Sequence, residues 1–130
     1  MSELLSRFEA GQLAEADFDH AAHLSVAIAL LRTTGFVDAV ARYMNGISLL
    51  AAENPEKVNV TITVAFLSAI AERQALSSRV TESEFLAAYP ELSSRMFLSQ
   101  WYDNERLASE AARELFLMPE PCTCRHIAHS

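Results

Sequence analysis

Apolar side chains recur at intervals of three and four residues along most of the chain, the spacing that places them on one face of an α-helix. The clearest pattern predicts a helix over 37–52. Its apolar stripe consists of Val37, Val40, Met44, Ile47 and Ala51. Asn54 and Pro55 follow and predict the end of this helix.

The stretch FDHAAHLSV, residues 18–26, marks the start of another predicted helix, over 20–33. Asp17 or Asp19 is its candidate N-cap, and Phe18 is placed to act as a hydrophobic staple. Gly35 stands where a left-handed residue commonly follows a helix. A first helix is predicted over 2–14, with Ser2 as its candidate cap.

The pattern is ambiguous over 58–66, VNVTITVAF, where β-branched and polar residues alternate as in a strand. Nothing else in the chain offers a partner strand, and one isolated strand is not stable. As a helix through 75, the same residues place Val60, Val64, Leu67 and Ala71 on one line. We therefore predict a helix there.

The second half of the chain continues in short helices. Thr81 and Glu84 fit a capping box, Pro90 predicts a helix over 90–102, and Asp103 or Asn104 precedes a last one. After Met118 the sequence PEPCTCRHIAHS cannot continue a helix. The fold prediction is all-α: a compact bundle of five to six helices over 1–118, with a short irregular tail over 119–130.

Composition and charge narrow the function. At 130 residues the chain is most simply one domain, and its 51% apolar content is typical of a globular protein. A net charge of −7 and scattered basic residues argue against nucleic acid and an anionic membrane as partners. The N-terminus lacks a signal-peptide pattern, and cysteine is absent before Cys122, so we expect a cytoplasmic protein.

His20 and His23 are the first candidate site residues, because positions three apart on a helix share a face. Two imidazoles can bind a metal, or one can act as a general base while the other orients a substrate. The alternative is that both only cap and pack the helix N-terminus.

Polar residues in apolar surroundings extend this candidate site. Asn59, Thr61 and Thr63 are predicted to line a pocket that faces the two histidines, unless the threonines bond back to their own helix. A wall is predicted from Trp101, Tyr102 and Arg113. An aromatic pair beside a guanidinium can bind an anion, although such residues also serve as ordinary core and surface groups.

The tail carries a second, separate set of candidate ligands. Cys122, Cys124, His126 and His129 place two thiols and two imidazoles within eight residues. These groups suit Zn²⁺ or Cu⁺, and the Cys-x-Cys spacing also permits a reducible disulfide. A disordered or partner-docking tail is the alternative.

In succession, these motifs resemble a small, uncharacterised bacterial family of helical proteins. Shared features are Phe-x-His-x-x-His-Leu from Phe18, Thr-Ile-Thr from Thr61, and Leu-x-Ser-x-x-Ala-Arg-x-x-Phe from Leu107. In that family Tyr-His-Glu precedes Thr-Ile-Thr, which implies a site of three histidines and a glutamate. This chain has Val58, Asn59 and Val60 there, so the resemblance implies that half of such a site is missing.

The leading hypothesis is a bacterial, cytoplasmic protein whose histidine-lined pocket between helices binds a metal or a small polar ligand, with His-based catalysis left open. The cofactor could be Zn, Cu or Fe, and the absence of any cofactor is an equal alternative. The chain could also form an oligomer. The alternative is a non-catalytic accessory protein that docks a protein partner, with the Cys/His tail as docking, metal or thiol site.

Overall fold

The structure, a computed structural model, describes residues 3–77, 80–94 and 96–119. These residues form seven α-helices and contain no strand, and five of the helices have seven residues or more. The helices are α1 (Glu3–Glu9), α2 (His20–Thr33), α3 (Phe36–Leu50), α4 (Val60–Leu76), α5 (Glu82–Ala88), α6 (Asn104–Leu107) and α7 (Glu110–Glu114). The predicted all-α bundle is confirmed.

Four 3₁₀ turns connect these helices, at Glu15–Asp17, Pro55–Lys57, Pro90–Ser93 and Phe97–Gln100. None of the helices in the described ranges combines the length and the apolar character needed to cross a membrane. Residues 120–130, which include all four candidate ligands of the tail, lie outside the described residues.

Helix α2 is the centre of the bundle and packs against α1, α3, α4 and the Pro90–Ser93 turn. Its buried residues are Leu24, Val26, Ala27, Ile28 and Leu30, which spread around more than one face, as a central helix requires. The predicted bounds are confirmed, and Asp19 is the N-cap, its side chain accepting a hydrogen bond from the Ala22 N–H. Gly35 is not left-handed: it has φ −68° and precedes α3.

Helix α1 is shorter than predicted and ends at Glu9. Gly11 adopts φ +71°, and the N–H groups of Gly11 and Gln12 donate to the carbonyls of Phe8 and Arg7 at 3.2 and 2.9 Å. This pattern satisfies the last carbonyls of the helix and turns the chain away. The turn residue is therefore a glycine that the prediction placed inside the helix.

The buried face of α3 differs from the predicted stripe by about one position. Ala39, Tyr43, Gly46 and Ile47 are buried, whereas Val37 is 78% exposed. At Gly46 the ring of Phe8 lies where a Cβ atom would be. The close approach of α1 to α3 requires a glycine at position 46 of this face, so a pattern based on large apolar residues gives a face rotated by about one position, although Ile47 and Ala51 of the predicted stripe are buried.

Helix α4 confirms the helical prediction for the ambiguous segment. It runs over Val60–Leu76, with Asn59 as N-cap accepting a hydrogen bond from the Ile62 N–H. Leu67 and Ile70 are buried against the core. Packing of this face on α2 and α3 outweighs the strand preference of the β-branched residues.

After α4, some of the predicted helix boundaries agree with the structure and others do not. The capping box of Thr81 and Glu84 at the start of α5 is confirmed. The helix predicted over 90–102 is instead two separate 3₁₀ turns, and the last predicted helix is divided into α6 and α7 by a second cap at Ser109.

Candidate functional site

A cavity of about 420 Å³ lies between α2, α3 and α4 and is covered by the Phe97–Gln100 turn and α6. A volume of this size is within the range of small-molecule sites. Most of its wall is apolar, and the main contributors are Leu24, Ala27, Ile47, Phe66, Ile70 and Leu98.

Polar side chains lie on the same wall where α2 and α4 begin. The first turn of α2 contributes Asp19, His20 and His23, and the start of α4 contributes Asn59 and Thr63. Of the side chains predicted to form the core site, the structure therefore brings four together: His20, His23, Asn59 and Thr63. Both helix starts meet at this place because α2 and α4 pack side by side.

His20 is half-buried and fixed by two contacts. Its Nε2 lies 3.1 Å from the backbone carbonyl oxygen of Leu92, which can only accept, so Nε2 carries a proton and donates it. The imidazole packs edge-on against Phe66, with ring centroids 5.5 Å apart. These contacts link α2 to the Pro90–Ser93 turn and to α4.

His23 is fixed by an aromatic ring and a hydroxyl. Phe18, the predicted staple, packs against the imidazole in a tilted arrangement with ring centroids 4.3 Å apart, so the staple's partner on the helix is His23 itself. On the other side, His23 Nδ1 lies 2.8 Å from the Tyr43 hydroxyl. His23 therefore packs at the start of α2, as the packing alternative predicted, and it also lies on the cavity wall.

Tyr43 is the principal site residue that the sequence prediction missed. It is only 5% exposed, lines the cavity from α3, and contacts Phe8 with ring centroids 5.3 Å apart. Burial raises the pKa of the Tyr43 phenol above its usual value of 10.0, so this hydroxyl stays protonated at physiological pH. The signal was the spacing of Ala39, Tyr43 and Ile47, four residues apart in each step.

Asn59 has a structural role besides its place in the cavity wall. Its amide Nδ2 donates to the carbonyl of Leu107 at 2.8 Å, while its Oδ1 caps α4. Asn59 therefore joins the start of α4 to α6, the element that covers the cavity.

The prediction that Thr61 lines the cavity is wrong. Thr61 is fully buried but does not line the cavity: its hydroxyl donates to the Leu115 carbonyl at 2.6 Å and accepts from the Leu117 N–H at 3.0 Å. Thr61 and Thr63 lie about 200° apart around α4, so only Thr63 faces the cavity.

Trp101, Tyr102 and Arg113 are also absent from the cavity wall. The indole packs edge-on against Phe97, the Tyr102 hydroxyl donates to the Leu117 carbonyl at 2.7 Å, and Arg113 donates to the Glu56 carbonyl at 3.4 Å. The chain over 90–102 forms two tight turns and not one helix, and Tyr102 contacts the C-terminal segment while Trp101 packs on Phe97.

No three His, Cys, Asp or Glu side chains are grouped to hold a metal ion anywhere in residues 3–77, 80–94 and 96–119. Nε2 of His20 and Nδ1 of His23 are both engaged in hydrogen bonds. The tail ligands Cys122, Cys124, His126 and His129 lie outside the described residues.

The chain matches no protein-family model, no curated protein and no solved structure. The resemblance through Phe18, Thr61 and Leu107 therefore stays a prediction from motifs.

Proposed function

We propose that this protein binds a small amphipathic molecule in the cavity between α2, α3 and α4. The observation that supports this most directly is that the cavity wall has an apolar part and a separate polar part. Leu24, Ile70 and Leu98 supply an apolar surface, and polar side chains occur where α2 and α4 begin. Such a wall favours a ligand with an apolar body and one hydrogen-bonding head group.

The head group would lie near His20, His23 and Thr63. An imidazole can accept or donate a proton, so proton transfer to or from a bound molecule is the chemistry that this wall permits. Binding is the part of the proposal that the geometry supports. Catalysis adds the requirement that a reacting atom come within hydrogen-bond reach of an imidazole.

A cavity-filling substitution provides the test. Ala27 lies on the cavity wall and is 3% exposed, so Ala27→Leu adds three carbon atoms at the position a ligand would occupy. Ala41→Leu is the matched control, because Ala41 is exposed on α3. The probe is 3-phenylpropan-1-ol, an apolar body with a neutral head group, and binding is measured by calorimetry and by thermal unfolding.

We expect the probe to stabilise the wild type and the Ala41→Leu variant by mass action, by about 2.7 kcal/mol when it is present at a hundred times its Kd. Ala27→Leu should stay folded and lose at least about tenfold in affinity, the equivalent of roughly 1.4 kcal/mol. Equal binding by Ala27→Leu and Ala41→Leu would show that the cavity is not the binding site.

The alternative of a metal, thiol or docking function for the tail is tested separately. Elemental analysis of the reduced protein, with and without Cys122→Ser and Cys124→Ser, distinguishes a metal bound by the tail from none. Deletion of 119–130 removes a tail-dependent partner but leaves the core cavity in place. Metal that survives both changes would instead indicate His20 and His23.

A further inference from the structure

The hydrogen-bonding atoms at the polar end of the cavity bear on the chemistry of the ligand's head group. They belong to side chains from the first turn of α2, from the start of α4 and from α6. An atom that already bonds to the protein is a poorer partner for a ligand, because its bond would have to be broken first. The atoms that the protein leaves unbonded therefore indicate which head group fits.

At His20, the atom left unbonded is an acceptor. Nε2 of this imidazole donates to the Leu92 carbonyl at 3.1 Å. In the neutral ring, Nδ1 therefore has a lone pair and no hydrogen. Nδ1 has no hydrogen-bond partner within residues 3–77, 80–94 and 96–119. A ligand atom that meets this nitrogen must donate a hydrogen bond.

Among the described residues, two charged side chains besides the histidines lie on the wall, and one of them is already paired. The Lys57 ammonium binds the Glu15 carboxylate at 2.9 Å, so these two charges offset each other. Asp19 has no ion-pair partner in the part of the chain that the structure describes. Its Oδ1 caps α2 through the Ala22 N–H at 2.9 Å, and its Oδ2 has no such bond there. With neutral imidazoles, the charge left at this end of the cavity is therefore negative.

Most donors of the wall are engaged within the protein. The Asn59 amide and the Ser99 hydroxyl donate to backbone carbonyls at 2.8 and 2.6 Å. The Tyr43 hydroxyl and Nδ1 of His23 share one hydrogen bond of 2.8 Å. A carboxylate head group, which can only accept, would therefore meet few available donors and the charge of Asp19.

Thr63 adds an atom that suits either kind of head group. It lines the cavity, and its hydroxyl makes no hydrogen bond with any residue that the structure describes. The exposed Asn104 amide on α6 is similar. A hydroxyl or an amide can accept as well as donate, so both groups can serve a head group that donates. Together with Asp19 and His20, they make this end of the cavity richer in unbonded acceptors than in donors.

We propose that the cavity selects ligands with a protonated amine as head group. An ammonium carries three donors and no acceptor, which complements this set of atoms. It is attracted by the Asp19 carboxylate and donates to Nδ1 of His20 and to the Thr63 hydroxyl. No covalent bond changes, and no proton is transferred on binding. The inference rests on the proposed ligand-binding function and adds the class of its head group.

The test compares three probes that share one apolar body and differ in head group: 3-phenylpropylamine, 3-phenylpropan-1-ol and 3-phenylpropionate. Calorimetry at pH 8 keeps an alkylamine charged and an ordinary imidazole neutral. Salt at about 0.15 M limits the reach of distant charges to about 8 Å. The amine should bind about tenfold more tightly than the alcohol, as expected for hydrogen bonds to a charged group, and the propionate should bind weakest.

The ratio of amine affinity to alcohol affinity is the readout for the variants, since it cancels changes in the apolar part of the wall. Asp19→Asn retains a good cap for α2 but removes the charge, so the ratio should fall by about threefold, as expected for an exposed ion pair. His20→Gln can still donate to the Leu92 carbonyl but has no acceptor in place of Nδ1. The ratio should fall by about threefold or more in this variant as well.

Asp17→Asn is the matched control for charge. Asp17 is exposed and does not line the cavity, and its substitution changes the net charge by the same amount as Asp19→Asn. Because salt screens a charge outside the wall, the ratio should stay within about twofold of the wild-type value.

The outcomes distinguish the two proposals. If the alcohol binds in the cavity but the amine binds no more tightly, or if the propionate binds most tightly, the amine inference is wrong and the ligand-binding function stands. An equal fall of the ratio in Asp17→Asn and Asp19→Asn also overturns the inference, because the preference would then come from the net charge of −7 and not from the cavity. If none of the probes binds, the ligand-binding function fails, and the inference fails with it.

Discussion

Thr61 shows what a single residue can and cannot reveal before the fold is known. A threonine in an apolar helical segment indicates a buried polar contact, and Thr61 is indeed fully buried. Its two partners, Leu115 and Leu117, lie 54 and 56 residues further along the chain. No local pattern encodes contacts at that separation, so the prediction placed Thr61 in the nearest polar group.

Thr61→Val is expected to destabilise the fold by about 1–3 kcal/mol, because it leaves the Leu115 carbonyl and the Leu117 N–H buried without their partner. Valine has nearly the same shape, so the effect reports the hydroxyl. The free energy of unfolding from urea denaturation is the measurement.

Thr33→Val is the matched control. Thr33 is exposed, and its hydroxyl bonds back to the Ala29 carbonyl of its own helix at 3.0 Å. It should change the free energy of unfolding by no more than about 0.5 kcal/mol. Equal losses for the two variants would contradict the role given to Thr61.

His20 and His23 were placed in one site from their spacing alone, and both line the cavity because α2 begins where predicted. Tyr43 was not included, because its neighbours along the sequence suggested a helix face rotated by about one position. A tyrosine next to a predicted apolar stripe carries no local signal that its hydroxyl will bond to a histidine twenty residues earlier.

At the scale of helices and turns, prediction succeeded where a capping residue marks the start. Asp19 and Thr81 cap the helices that follow them, as predicted, whereas the cap at Asn59 was not predicted. For α4, the absence of a partner strand decided between helix and strand against local propensity. Failures occurred at 90–102 and at the end of α1, where tight turns depend on packing as well as on local sequence.

The contact between α1 and α3 leads to a prediction at this scale. Gly46→Ala places a methyl group against the ring of Phe8, which is 1% exposed and packs against the rings of Phe18 and Tyr43. Overpacking of this kind costs about 1–3 kcal/mol. Thermal or urea unfolding of the variant measures the loss.

Gly35→Ala is the control, because no atom lies within 4 Å of a Cβ added there and φ is −68°. Its effect should stay below about 1 kcal/mol, since a lost glycine cap is partly offset by a less flexible unfolded chain. If Gly46→Ala proves as stable as Gly35→Ala, α1 and α3 do not pack as closely as described.

For the whole molecule, the helical class follows from periodicity, but the cavity does not. It forms because the starts of α2 and α4 meet and because the segment over 90–102 crosses them as two short turns. The predicted wall of Trp101, Tyr102 and Arg113 assumed one continuous helix in that segment. Because turns replace that helix, Leu98 and Ser99 line the cavity where the three predicted residues were expected.

The central claim is that a small amphipathic molecule binds between α2, α3 and α4. Its most direct test is the ¹H–¹⁵N spectrum of the ¹⁵N-labelled protein, recorded while 3-phenylpropan-1-ol is added. We predict the largest and saturable shifts at the amides of His20, His23 and Thr63, with Glu84 on α5 unchanged. Shifts that are largest on α5, or that grow linearly without saturation across the surface, would contradict the account.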